Sequence, residues 1–291
     1  MDILTNYTFQ IVALGSVILA FAAAPVGAFS VYKGQSLIGD AIGHSTFPGI
    51  ILAYMAFATR SPVILLAGAI LAGAASYALI QLAHRDKRLG LDANLAIFLS
   101  GFFGLGMALK SFIQGNPDYA GASQAGLGTY IFGQAAYMLE ADVLLIAVVS
   151  ALVLTLLLLF YKELKLFVFD AEYAEVVGLP CRLLNLLLLV MTIAVIGIGI
   201  KAVGAILISS FLIIPCVAAN QWSNNFARVL LLSSLIGAAS ALIGTYISTL
   251  EQGMSTGPSI ILVASVIAFF SILFGTKGIL GRTLKRRGTH G

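Results

Sequence analysis

Asp40 and His44 stand four residues apart in the stretch GQSLIGDAIGHSTFPG, Gly34 to Gly49, which leads into an apolar run. On an α-helix that spacing puts both side chains on one face, one turn apart. A carboxylate oxygen and an imidazole nitrogen can then approach a single cation. The two residues lie seven and eleven positions beyond Lys33. At ~1.5 Å per residue they sit roughly 10–16 Å into a ~30 Å hydrocarbon core. An Asp at that depth costs on the order of 2.5–3.5 kcal/mol, so it should face a cavity or a partner. Ser36, Ser45 and Thr46 add polarity, and Pro48–Gly49 can kink or loosen the helix just beyond. The segment is expected to line something wet. The plainer reading is structural glue between helices; the pair at helical spacing favours an ion path. Mixed oxygen and nitrogen ligands suit manganese, iron and zinc, whereas sodium or potassium needs no imidazole and Cu(I) favours Cys or Met. Two ligands are too few for a tight site, which suits a pathway that must release its ion. The same pair from a second subunit, across a symmetry axis, would complete four.

Such a pair needs membrane-spanning elements to hold it. Of the 291 residues, 60% are apolar and 10% charged, against roughly 25% charged in a soluble domain. Mean hydropathy is +1.03. Repeated apolar runs of about 20 residues indicate helices rather than the alternating strands of a barrel. Thirty glycines fit close helix packing in lipid. The expected fold is an all-α, polytopic integral membrane protein with eight or nine transmembrane helices in one domain, residues 1–291. Candidate spans run roughly over 9–31, 37–58, 62–83, 94–113, 141–160, 183–200, 202–219, 228–249 and 259–275. The sixth and seventh meet at Lys201, and merging them gives the lower count. MDILTNYT lacks the basic start of a signal peptide, so the first run is expected to remain as a span.

Placing 85–88 in the cytoplasm puts 13 of 16 basic residues on that side and leaves Arg60, Lys110 and Lys201 outside. The basic tail, 276–291, is then cytoplasmic. The pI near 9.1 reflects this bias rather than nucleic-acid binding. Cys181 and Cys216 have no cysteine neighbour, so neither a disulfide framework nor a thiolate metal site is legible.

Two connections exceed what closure requires. The outer one, Gln114 to Glu140, is glycine-rich. The inner one, 161–182, reads YKELKLFVFDAEYAEVVGLPCR. There Asp170 can cap a short helix, Ala171 to Val177, Glu172 suits its dipole, and Gly178 and Pro180 end it. Tyr173, Val176 and Val177 form one side, Glu172 and Glu175 the other. Two turns are not stable alone in water, so this helix is expected to dock, preferably in a cleft of a cytoplasmic protein. No GxxxxGK[ST] occurs, so energy must come from a partner ATPase or an ion gradient. No catalytic residue is expected. His84 and His290 read as surface residues in basic segments.

GQSLIGDAIGHSTFPG and LKLFVFDAEYAEVVGLP, with TYIFGQAA, VGAILISSFLIIPCVAA and GMSTGPS, together resemble the permease subunits of bacterial ABC importers for manganese, zinc and iron. The resemblance covers nearly the whole chain. It implies a cell-membrane subunit that pairs with a second permease copy or a paralogue. Two cytoplasmic ATPases, which use the ATP, and an extracellular metal-binding lipoprotein complete the importer. It implies that Asp40 and His44 bind the transported metal, and that Asp170, Ala171, Glu172, Tyr173, Glu175, Val176, Val177, Gly178, Leu179 and Pro180 belong to the segment engaging the ATPase. Gly43 and Ser45 replace the family's usual Ser and Ala beside the histidine, both small changes. The receptor is expected to dock on outer loops, including Gln114 to Glu140. The alternative is a proton-coupled secondary metal transporter without an ATPase; a membrane-embedded scaffold is a third.

Overall fold

The computed structural model describes residues 6–59, 61–84, 90–116, 119, 138–250 and 254–278. Receptor docking on the outer connection, the basic segment at 85–88 and nearly all of the basic tail lie outside these residues.

Eleven helices follow one another: α1 Tyr7–Tyr32, α2 Ile38–Phe57, α3 Pro62–His84, α4 Leu91–Gly115, α5 Glu140–Leu159, α6 Tyr161–Phe169, α7 Ala171–Val176, α8 Cys181–Val203, α9 Ala205–Asn220, α10 Phe226–Leu250 and α11 Thr256–Phe274. No strand occurs among the described residues. Seven of the helices, α1, α3, α4, α5, α8, α10 and α11, are long and apolar enough to cross a membrane. Eight or nine were expected. The difference falls on α2, diluted by its polar first turns, and on α9, only 16 residues long. Both nevertheless pack inside the bundle, α2 against α3, α4, α8 and α9, and α9 against α1, α10 and α11.

The division between α8 and α9 lies at Gly204 rather than at Lys201. Gly204 has φ +91°, in the left-handed region where a Cβ is disfavoured, and this turn separates the two helices. Pro48 was expected to loosen α2, yet the helix runs through it to Phe57.

α1 forms the axis of the molecule. It packs on α5, α8, α9 and α10, and 72% of its spanning window is buried against 11% for α4. α4 touches α2 and α3 and turns Ile97, Leu105 and Phe112 outward. Lipid offers no hydrophobic drive between helices, so close backbone approach matters more than it does in water. A Cβ on Gly49 of α2 would stand 2.1 Å from the Gly68 carbonyl oxygen of α3. That crossing fixes α2 against α3 and therefore the direction in which Asp40 and His44 point.

Candidate functional site

Asp40 and His44 occupy the first two turns of α2. His44 Nε2 lies 3.6 Å from Asp40 Oδ1, too far for a good hydrogen bond but within ion-pair reach. Asp40 keeps 33% of its side-chain surface exposed and His44 keeps 14%. The His44 ring stands edge-on to Phe103 of α4, centroids 5.0 Å apart. Its Nδ1 is buried without a hydrogen-bond partner.

Ser45 and Thr46 behave differently. The Ser45 hydroxyl donates to the Ala41 carbonyl at 2.7 Å and is also 2.7 Å from the Ser76 hydroxyl of α3. The Thr46 hydroxyl donates to the Gly43 carbonyl at 2.6 Å. Both residues are fully buried. Their polarity belongs to helix packing, so the expectation that the whole segment lines a wet passage is corrected for these two. Among the described residues no cluster of three or more His, Cys, Asp or Glu side chains is placed to hold a metal. The pair supplies two donors, an oxygen and a nitrogen, on an edge of the bundle.

On the opposite side of α2, Ile38 and Ile42 line a small open cleft shared with Ser30 and Gln35 near the end of α1, Tyr77 of α3, and Asn185, Leu188, Leu189 and Thr192 of α8. Lys33 reaches into this region. Its ammonium donates to Asn185 Oδ1 and lies 4.7 Å from the centre of the Phe167 ring of α6. Asn185 Nδ2 and Gln81 Nε2 both donate to the Tyr77 hydroxyl, at 2.7 and 2.6 Å. Burial pushes the Lys33 ammonium down to about 8, because the charged form loses hydration. Sequence reasoning used Lys33 only to mark a membrane boundary and passed over Asn185. The signal was a lone amide in the run CRLLNLLLL.

The inner connection is helical over most of its length. α6, read from sequence as loop, buries Leu164 and Phe167, while Phe226 of α10 gathers Phe29, Tyr32 and Phe169 at centroid distances of 4.9, 5.0 and 5.1 Å. α7 has the expected start. Asp170 accepts from Tyr173 N–H at 2.9 Å, satisfying an otherwise orphan donor. At its other end Leu179 N–H donates to the Ala174 carbonyl and Gly178 N–H to that of Glu175, both at 3.0 Å. This double closure is the Schellman arrangement. Ala174 is buried, while Glu172, Tyr173, Glu175 and Val177 are exposed and Val176 is 84% exposed. An acidic and apolar surface therefore projects from the bundle beside the start of α8.

The pattern that defines the ABC 3 transport family matches residues 5–275. The chain is 38% identical to the zinc transport system membrane protein TroC of Treponema pallidum, over 99% of this chain and 96% of that protein. It is 37% identical to the manganese transport system membrane protein MntC of Bacillus subtilis, over 95% of this chain and 63% of that one. Among solved structures, PsaBC from Streptococcus pneumoniae in complex with Fab superposes with a TM-score of 0.85 at 27% identity, covering 98% of this chain and 96% of that one.

Proposed function

The chain belongs to the ABC 3 transport family, and from that premise we propose that it is the membrane subunit of an ATP-driven importer of manganese, zinc or iron(II). An extracellular metal-binding lipoprotein delivers the ion. Asp40 and His44 hold it in transit, and a cytoplasmic ATPase docked on α7 drives the change of access. The protein itself carries out no hydrolysis.

One observation carries the ligand assignment. The Asp40 carboxylate is partly open, with the His44 imidazole, its Nδ1 buried, one turn away and not locked to it by a hydrogen bond. A purely structural pair would be expected to close that gap, as Ser45 and Ser76 do. Oxygen and imidazole donors together match borderline divalent ions. Two donors bind weakly, so a second copy of the chain, or a paralogue, contributes its own pair. That gives a four-ligand site between subunits which loads and empties within a transport cycle. Relatives named for zinc and for manganese are consistent with a donor set that admits both, leaving selection to the receptor. The family supports an ATPase-linked subunit over a proton-coupled secondary carrier.

Replacing Asp40 by Ala tests the reading. Metal uptake by cells expressing the variant should fall to background, while its membrane level and its co-purification with the ATPase stay as in the wild type. Normal accumulation of metal by Asp40→Ala would remove the ligand role.

A further inference from the structure

Lys33 is a half-buried cation outside the metal path. Its ammonium has an amide oxygen and an aromatic face for company, and among the described residues no carboxylate lies within ion-pair reach of it. One helical turn before Phe167, on the same side of α6, Glu163 holds a buried carboxylate oxygen that has no hydrogen-bond partner. A half-buried ammonium without an anion and a buried carboxylate oxygen without a donor each cost free energy, which pairing would recover. In this structure the ammonium is held by Asn185 on α8 instead.

The Phe226 cluster ties α6 to α1 and α10, and α6 packs on α8 as well. Where α8 meets the end of α1 and the start of α2, a partly polar cleft interrupts the contact. Such a boundary parts at lower cost than a close-packed one. α7 is joined to α6 through Asp170 alone and to α8 through the four residues 177–180, so force applied to α7 reaches α6 directly and shifts it against α8. The linker from Lys33 to α2 is held by backbone hydrogen bonds from Gln35 N–H to the Ser30 carbonyl, and from Ile38 N–H to the Gln35 carbonyl. Displacement of Lys33 is therefore passed to the first turns of α2.

We infer that Lys33 is a positioning residue, a latch that fastens the α1–α2 linker to α8 through Asn185 in the state seen here and exchanges Asn185 for Glu163 when α6 shifts against α8 with the docked ATPase. The exchange re-aims Asp40 and His44 once per cycle. It rests on the import reading and specifies how that cycle is transmitted to the metal pair.

The test reconstitutes the permease with its ATPase and receptor in proteoliposomes, supplies manganese, zinc or iron(II) singly, and reads metal moved per ATP hydrolysed. Lys33→Met and Glu163→Gln should each lower that ratio about tenfold, and the double variant should fall no further than either single one. Lys33→Arg should keep most of the wild-type ratio. A wild-type ratio in Glu163→Gln, a double variant whose loss is the product of the single losses, or a Lys33→Arg as impaired as Lys33→Met would overturn the latch and leave the import reading standing. A wild-type complex that moves none of the three metals would remove both.

Discussion

Asp40 and Ser45 sit five residues apart on α2, and their side chains meet different surroundings. Ser45 spends its hydroxyl on Ala41 and Ser76 in a dry contact, whereas Asp40 keeps a third of its surface open. The contrast separates polarity used for packing from polarity left available to a ligand. Lys33 is a third case, a charge retained at a stability cost. Its ammonium falls from 10.5 in the unfolded chain to about 8 in the fold. Between those values the unfolded chain binds a proton that the folded one does not, so stability rises with pH across that window. Below about 8 the full penalty is present, on the order of 3 kcal/mol before the Asn185 and Phe167 contacts offset part of it. Lys33→Met should therefore melt a few °C higher than wild type at neutral pH. The gain should shrink as the pH is raised toward about 9.5. A thermal melt of the purified permease in detergent across that range checks it, and a gain independent of pH would contradict the assigned cause.

At the scale of the element, α7 is six residues long and is held by its caps and by the buried Ala174 rather than by a broad packed face. It presents Glu172 and Glu175 together with Tyr173, Val176 and Val177. In the proposed importer that surface would meet a cleft with a basic rim and an apolar floor on the ATPase. Reversing both charges with Glu172→Lys and Glu175→Lys leaves the caps intact and should reduce ATPase co-purification by about tenfold or more, since like charges across an interface cost several kcal/mol. Undiminished co-purification would defeat the docking assignment. α6 adds what a loop could not, a rigid link from this surface to α1 through Phe167 and the aromatic cluster.

For the whole molecule, α1 lies at the axis and α4 at the edge, so a second copy in the proposed importer would approach Asp40 and His44 from the α4 side. Asp40 and His44 are on α2, whose outer neighbour is the sparsely buried α4. Orientation in the membrane follows from the distribution of Lys and Arg, and it can be tested at the two ends of α10. Asn224 precedes that helix and Met254 follows it, both exposed. In intact cells Asn224→Cys should react with a membrane-permeant maleimide but not with an impermeant one. Met254→Cys should react with both. The reverse pattern would invert the topology.

The succession of apolar runs was legible because lipid imposes a length and a composition on every span, and the described helices follow the proposed spans within a few residues. The Asp170 cap and the end of α7 were legible because capping is local chemistry. The break between α8 and α9 was misplaced by three residues, because a charge at Lys201 is a louder signal than the backbone angle of Gly204. By itself the sequence determined the class of protein, the spacing of Asp40 and His44 on one helix face, and the short capped helix α7. Only the tertiary structure decided which polar residues of α2 are sealed and which open, and that Lys33, Asn185 and Phe167 meet. Those contacts join α6, α8 and the end of α1 across more than a hundred residues of chain. Local periodicity carries no record of them, because which helix faces touch is set by the packing of the bundle as a whole.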